Sequence, residues 1–251
     1  MVHKKNHGEE VEKKSLAKAL KRKMGFDEDI LSKIPGKRGE VSLLMNSTRR
    51  KIFEYLCNFP ASHLRAISRA TGFSTQTVKW HLGKLMEGGL LSGKNYGAKI
   101  IYSPLKNVLK GEECRILALM NDDELRKVYL YIKEHPQKTQ KHLCNNLNIY
   151  QQLLSRILLI LEKSDLITYE KKGREKRYYT TNKFENLVDA FDKRSKYWET
   201  TLIAALEADS LDPKIESSDS PNLIIKLDVG GGEHSMLSVP KNPFADILNR
   251  G

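Results

Sequence analysis

The feature that most constrains this chain is an internal repeat. Arg50-Lys51-Ile52-Phe53-Glu54-Tyr55-Leu56 lies over Arg126-Lys127-Val128-Tyr129-Leu130-Tyr131-Ile132, an offset of 76 residues. Without a gap, the same offset matches Pro60 to Pro136, Leu82 to Leu158, Leu85 to Leu161, Leu90 to Leu166, Gly97 to Gly173 and Tyr102 to Tyr178. A register held over roughly fifty residues predicts two copies of one module of about 60 residues. Whatever the module is, it must be small, and its local pattern must be legible twice.

Each copy follows one order. In the first, Ser47 is placed to cap a helix that turns Ile52, Phe53 and Leu56 inward and stops near Pro60. Ser62 can cap a second helix with Leu64, Ile67 and Ala70 on one face, and Gly72 supplies the positive φ of a tight turn. Ser74 opens a third helix, whose Val78, Leu82 and Leu85 recur at i, i+4 and i+7 and which ends at Gly88-Gly89. Residues 90–92 and 99–102, joined through a glycine-containing loop, read as a hairpin. In the second copy the helices fall at 126–134, 140–146 and 151–163, and the strands at 166–169 and 176–180 around Gly173. Asn148 replaces Gly72, and asparagine also tolerates the left-handed region. Three helices and a hairpin make the winged form of helix-turn-helix. The expected fold class is mostly α with small β-hairpins (α+β): two tandem winged helix-turn-helix domains with helical flanks.

The expected organisation is a flexible N-terminus with an amphipathic helix over residues 1–40, modules at 41–107 and 108–182, a helix at 183–209, and an acidic linker with a partly disordered tail at 210–251. The N-terminal helix is predicted over 9–34, on Val11, Leu16, Leu20, Ile30, Leu31 and Ile34, ended by Pro35-Gly36. The C-terminal helix is predicted over 184–208, from Leu187 through Phe191 and Trp198 to Leu206. The tail carries one strand-like run at 223–227.

Charge narrows the function. The net charge is +12 over 251 residues, and residues 45–107 carry ten Lys/Arg against two Asp/Glu. Residues 120–182 carry twelve against eight, and residues 183–251 reverse to eight against twelve. A positive field concentrated on the first module attracts phosphate backbones. No apolar run approaches the ~18–20 residues needed to span a bilayer, so no membrane partner is expected. The opening MVHKKNHGEEVEKK lacks the apolar stretch of a secretory signal, which predicts a cytoplasmic protein. Cys57, Cys114 and Cys144 are odd in number and far apart, and read as small core residues.

The third helix is the candidate reader of double-stranded DNA. With Val78, Leu82 and Leu85 inward, its other side carries Thr75, Gln76, Lys79 and the bare Gly83, with Trp80 at the edge and Ser74 at the start. Gln and Thr match base-edge donors and acceptors in the major groove, and Lys79 and Lys84 can reach phosphates. Arg49 and Arg50, at the start of the first helix, are further phosphate candidates. The first wing offers Lys94, Asn95 and Lys99; the second offers Lys171, Lys172, Arg174, Lys176 and Arg177. Long cations on a hairpin tip suit backbone or minor-groove contact. The second copy's third helix keeps Gln151, Gln152, Ser155 and Arg156 at the matching positions, but has Leu159 and Ile160 where the first has Gly83 and Lys84. Those apolar residues point to packing against protein, so base reading is weighted to the first module.

Catalysis finds no support. His63, His81, His135 and His142 lack carboxylate or cysteine partners at ligand spacing, and His81, beside Trp80 and Leu82, reads as packing. Gly230-Gly231-Gly232 lacks the GK[ST] of a phosphate loop. No enzyme activity and no cofactor are expected.

Through STRRKIFEYL, FSTQTVKWHLGKLMEGGLL and IIYSPL, and through His81-Leu82-Gly83-Lys84-Leu85 closing the third helix, the chain resembles archaeal winged-helix regulators of the ArsR-like kind. Its tandem layout with a helical N-terminal flank and a tail is similar to the euryarchaeal archaellum regulator family. The resemblance implies a transcription activator bound upstream of motility genes, with Thr75, Gln76, Lys79 and Trp80 as DNA readers. It does not carry over metal sensing, whose cysteine motif is absent. Tail and flanking helices offer surfaces for the basal transcription machinery or another regulator. A different class, an assembly factor of the transcription or RNA-handling machinery acting through protein contacts, is motivated by Leu159 and Ile160.

Overall fold

The structure, a computed structural model, describes residues 42–106, 108–217, 221–228 and 232–248, all within one unit spanning Gly36–Gly251. The helix expected over 9–34 lies outside the described residues. The first helix, α1 (Ser47–Asn58), is capped by Asn46 rather than Ser47, the Asn46 side chain accepting from the Arg49 N–H. Ile52, Phe53, Leu56 and Cys57 are its buried face. Ser62 also differs from expectation. It is buried in the short strand β1 (Ser62–His63), and His63 caps α2 (Leu64–Thr71) through Nδ1, which accepts from the Ala66 N–H.

Gly72 ends α2 with a φ of 76°, a conformation that costs a glycine nothing. Ser74 then caps α3 (Thr75–Glu87), which buries Val78, His81, Leu82 and Leu85 against α1 and α2. Each leucine-sized side chain taken fully out of water contributes about 1.5–3 kcal/mol. The hairpin of β2 (Leu91–Tyr96) and β3 (Lys99–Pro104) follows, with β1 added to β3 in the order β1-β3-β2.

A helix not foreseen from the sequence, α4 (Gly111–Met120), joins this module to the next. It lies outside the repeat, and the carboxylate of Glu113 fixes its start by accepting from the Lys110 N–H. Beyond it run α5 (Asp123–Glu134), β4 (Lys138–Thr139), α6 (Gln140–Leu147), α7 (Gln151–Lys163), β5 (Ile167–Lys172) and β6 (Glu175–Thr180), with strand order β4-β6-β5. The backbone carries the offset of 76 in its left-handed positions. Ala61 (63°), Gly72 (76°), Gly89 (78°) and Gly97 (58°) recur as Gln137 (66°), Asn148 (52°), Asp165 (55°) and Gly173 (64°). Ala61 and Gln137 adopt positive φ without being glycine, so tertiary structure holds both turns there.

The C-terminal region departs from the sequence reading twice. The single helix expected at 184–208 is two, α8 (Lys183–Asp192) and α9 (Ser195–Ala208). The chain turns between them, where the Arg194 N–H donates to the Phe191 carbonyl and Ser195 Oγ to that of Asp192. The residues expected as linker and partly disordered tail form an antiparallel sheet of β7 (Lys214–Ser217), β8 (Asn222–Asp228) and β9 (His234–Pro240), then α10 (Pro243–Leu248). Leu223, Ile225 and Leu227 alternate inward on β8 and face Leu237 and Val239 of β9. Three strands with one apolar face can be stable, and packing of β9 on α1 supports them further. Asn58 Nδ2 donates to the Ser238 carbonyl at 2.9 Å. Phe244 of α10 packs on Phe184 and Phe191, and Trp198 Nε1 donates to the Pro240 carbonyl at 3.2 Å. Asp209, just past α9, accepts from the Leu43 and Leu44 N–H groups and from Ser42 Oγ, which ties the approach to α1 to the C-terminal region. Among the described residues no helix is long and apolar enough to cross a membrane.

Candidate nucleic-acid interface

The outward stripe of α3 runs through Gln76, Lys79, Trp80, Gly83, Lys84 and Glu87, which together line an open depression of about 370 Å³. Thr75, Gln76 and Lys79 are exposed and make no side-chain hydrogen bond or ion pair among the described residues. Trp80 is 57% exposed, and its indole is steadied by an edge contact with the His81 ring, centroids 4.7 Å apart. Lys84 is committed to Glu87 at 2.8 Å, an exposed i,i+3 pair that contributes little to stability. Ser74 spends its hydroxyl on the Thr77 N–H as helix cap. Gly83 is mid-helix, where glycine costs about 1 kcal/mol relative to alanine.

His81 belongs to the core, not to the reading face. It is buried, and its repeat counterpart is the buried Ile157. Its Nδ1 has no hydrogen-bond partner among the described residues. Burial, then the nearby Arg49 charge, lowers its pKa below the usual imidazole value. The unfolded chain titrates there near 6.5, so it takes up the proton more readily than the folded one, and stability falls as pH drops through that value. His81→Ile is expected to flatten this dependence. The variant should keep a larger share of its pH 8 stability at pH 5 than the wild type does, read as urea midpoints at the two pH values.

Arg49 and Arg50, expected on phosphate, are half-buried, and each engages part of its guanidinium within the chain. Arg49 Nε donates to the Leu43 carbonyl at 2.7 Å and Arg50 Nη1 to the Leu44 carbonyl at 2.8 Å. Arg126 makes the equivalent bond to Met120 at 3.0 Å, one repeat later. Two arginines closing the same turn in both modules answer a structural need, orphan carbonyls beside a helix start.

On the first wing, Asn95 and Lys99 are exposed and unpartnered among the described residues, while Lys94 reaches the Leu109 carbonyl at 3.3 Å. On the second, Lys171, Lys172 and Arg174 stand open at the tip around Gly173. Lys176 lies 3.6 Å from the centroid of the Tyr169 ring and 3.9 Å from Glu162, and Arg177 donates to the Gln137 carbonyl. The α7 surface is partly closed on itself: Ser155 Oγ donates to the Gln151 carbonyl and accepts from Gln140 Nε2. Gln152, Arg156 and the Gln151 side chain remain free of such bonds among the described residues. Leu159 is 49% exposed, so about half of it is left uncovered by the described residues.

Two features escaped the sequence reading. Arg65 and Arg69 stand exposed one turn apart on α2 without an acidic partner among the described residues, and their i,i+4 spacing was the available signal. Tyr150, at the start of α7, is 86% exposed. Among the described residues no group of three or more His, Cys, Asp or Glu side chains could hold a metal ion.

Comparison with known proteins places the first module. Residues 45–92 match the family model described as winged helix-turn-helix DNA-binding. A curated relative, an uncharacterized HTH-type transcriptional regulator of Methanocaldococcus jannaschii, is 27% identical over 140 residues, 56% of this chain. The match spans only about a third, 35%, of that relative's length. Among solved structures, the chain is similar to the homodimeric winged helix-turn-helix DNA-binding domain of a possible ArsR-family regulator from Mycobacterium bovis. That likeness is 26% identical and covers 34% of this chain and 77% of that one, with a TM-score of 0.25. A Corynebacterium diphtheriae protein is 11% identical over 54% of this chain and 26% of its own, with a TM-score of 0.23. Over residues 45–92 the chain is therefore similar to winged helix-turn-helix DNA-binding proteins.

Proposed function

We propose that this chain is a transcription regulator that binds double-stranded DNA in a sequence-dependent way, with α3 entering the major groove. The observation that carries the reading is the outer stripe of α3. Thr75, Gln76, Lys79 and Trp80 are exposed, the last three line an open hollow, and the stretch around them carries ten basic residues against two acidic ones. Side chains that satisfy nothing within the protein are available to a partner, and the partner suited to amide, ammonium and indole on one helix is a base edge beside phosphates. In this reading Asn95 and Lys99 follow the backbone from the first wing. The second segment, residues 123–180, acts as a second winged-helix module, and its Lys171, Lys172 and Arg174 add non-specific affinity. The finer assignment, an activator at motility promoters, rests on the tandem layout and its likeness to the archaellum regulators.

A second reading is kept for one observation, the half-exposed Leu159 beside a partly self-bonded α7 surface, which suits an assembly factor working through protein contacts. Titration of the full chain against a duplex selected from a random pool, a scrambled duplex and a duplex RNA, from about 50 to 200 mM salt, separates the two. A regulator should prefer the selected duplex by 10³-fold or more, a typical margin for specific sites. Equal, steeply salt-dependent binding to all three would defeat the first reading and favour the second.

A further inference from the structure

Among the described residues nothing accounts for Gly83. A Cβ built there meets no atom within 4 Å, and the residue is not among those with positive φ. In the second segment the same position holds Leu159, which the helix tolerates with its side chain half in solvent. The missing side chain therefore makes room for something that approaches from outside.

That room has a definite character. Trp80 forms one side, steadied by the ring of His81, and Gln76 lies one turn nearer the helix start. Lys79 brings its aliphatic stem and positive end to the rim, where Lys84 and Glu87 pair and cancel. The hollow is open on one side, so it suits a group projecting from a surface rather than an engulfed small molecule. The field around it calls for a polyanion. In the major groove of a duplex, one apolar group projects from the base edges, the 5-methyl of thymine.

We propose that the hollow between Trp80 and Gly83 seats a thymine methyl, with Gln76 placed to take the N6–N7 edge of a neighbouring adenine. Gly83 and Trp80 are then specificity-determining residues, which read an A·T-containing step by shape and apolar contact while Lys79 holds the backbone. The proposal rests on the DNA-reading role assigned to α3.

The test uses the full chain and a 20-base-pair duplex it selects from a random pool. Each thymine is replaced in turn by deoxyuridine, which keeps its pairing and lacks only the methyl. The wild type should lose roughly three- to fivefold in affinity at one or two positions, the effect of withdrawing one buried methyl-sized group. Gly83→Leu and Trp80→Ala should bind the thymine and uracil duplexes equally. Gly83→Ala, which adds a Cβ into open space and favours the helix, serves as a folded control whose far-ultraviolet dichroism matches the wild type. A wild type indifferent to uracil at every thymine overturns the methyl seat while leaving DNA reading intact. Failure to enrich any duplex over the starting pool overturns the DNA-reading assignment and this proposal with it.

Discussion

Replacing Gln76 by Ala and Lys79 by Glu together is expected to lower affinity for a selected duplex by about 100-fold or more at moderate salt, with the urea midpoint unchanged. The size follows from two independent losses. A bidentate amide–base contact discriminates by about 1–3 kcal/mol, and reversing a phosphate-contacting lysine turns an attraction into a repulsion while reducing the salt slope by about one. Stability should hold because neither side chain is bonded to anything among the described residues, so no buried group is stranded. Surface changes of this kind stay within about 0.5 kcal/mol. Fluorescence anisotropy over a salt series measures the first quantity and urea denaturation the second. Affinity equal to that of the wild type would remove α3 from the interface.

Phe244→Ala is expected to cost about 3–5 kcal/mol of folding free energy, the range for emptying a large aromatic site in a core. Phe244 is fully buried, and its ring centroid lies 5.9 Å from those of both Phe184 and Phe191. It sits near the end of the chain, yet the loss should reach the first module. The Asn58 bond to Ser238 and the grip of Asp209 on Ser42, Leu43 and Leu44 join α1 to the C-terminal sheet and helices. The buried Trp198 and the exposed Trp80 report on the two ends separately. With both tryptophans kept, the buried emission of Trp198 and the iodide-quenchable emission of Trp80 should move to the same lower urea midpoint. A change below about 0.5 kcal/mol, the scale of an unremarkable surface site, would mean that α10 adds nothing to the core. Two well-separated midpoints would mean that the tail folds apart from the first module.

The helix-turn-helix core was legible in the sequence because its determinants are local. Val78, Leu82 and Leu85 mark the inward face of α3 by helical spacing alone. Gly72 and Ser74 are the residues the turn and cap require, and both serve as expected. The alternate exposed face, with Thr75, Gln76, Lys79 and Gly83, follows from the same period. His81 could be assigned to packing from its neighbours, and its alignment with Ile157 gives the physical reason.

Features decided by packing rather than by periodic spacing were not legible. Arg50 looks like any exposed cation at a helix start until the Leu44 carbonyl is placed beside it. The break between α8 and α9 carries no proline or glycine; it comes from where Phe191 and Trp198 must both pack. The tail was hardest to read. Its residues 223–227 announced a strand, but a strand cannot name its partner, and the strength of this sheet lies in pairing β8 with β7 and β9 and in seating β9 on α1. Sequence alone therefore determined the inward faces of α3 and α7 and the outer stripe of α3, all set by spacing within a few turns. Only tertiary structure decided that the tail is a folded brace, its strand β9 seated on α1 and its helix α10 packed on Phe184 and Phe191. That outcome depends on contacts between residues far apart in the chain, such as Asn58 and Ser238, whose free energy no local pattern records.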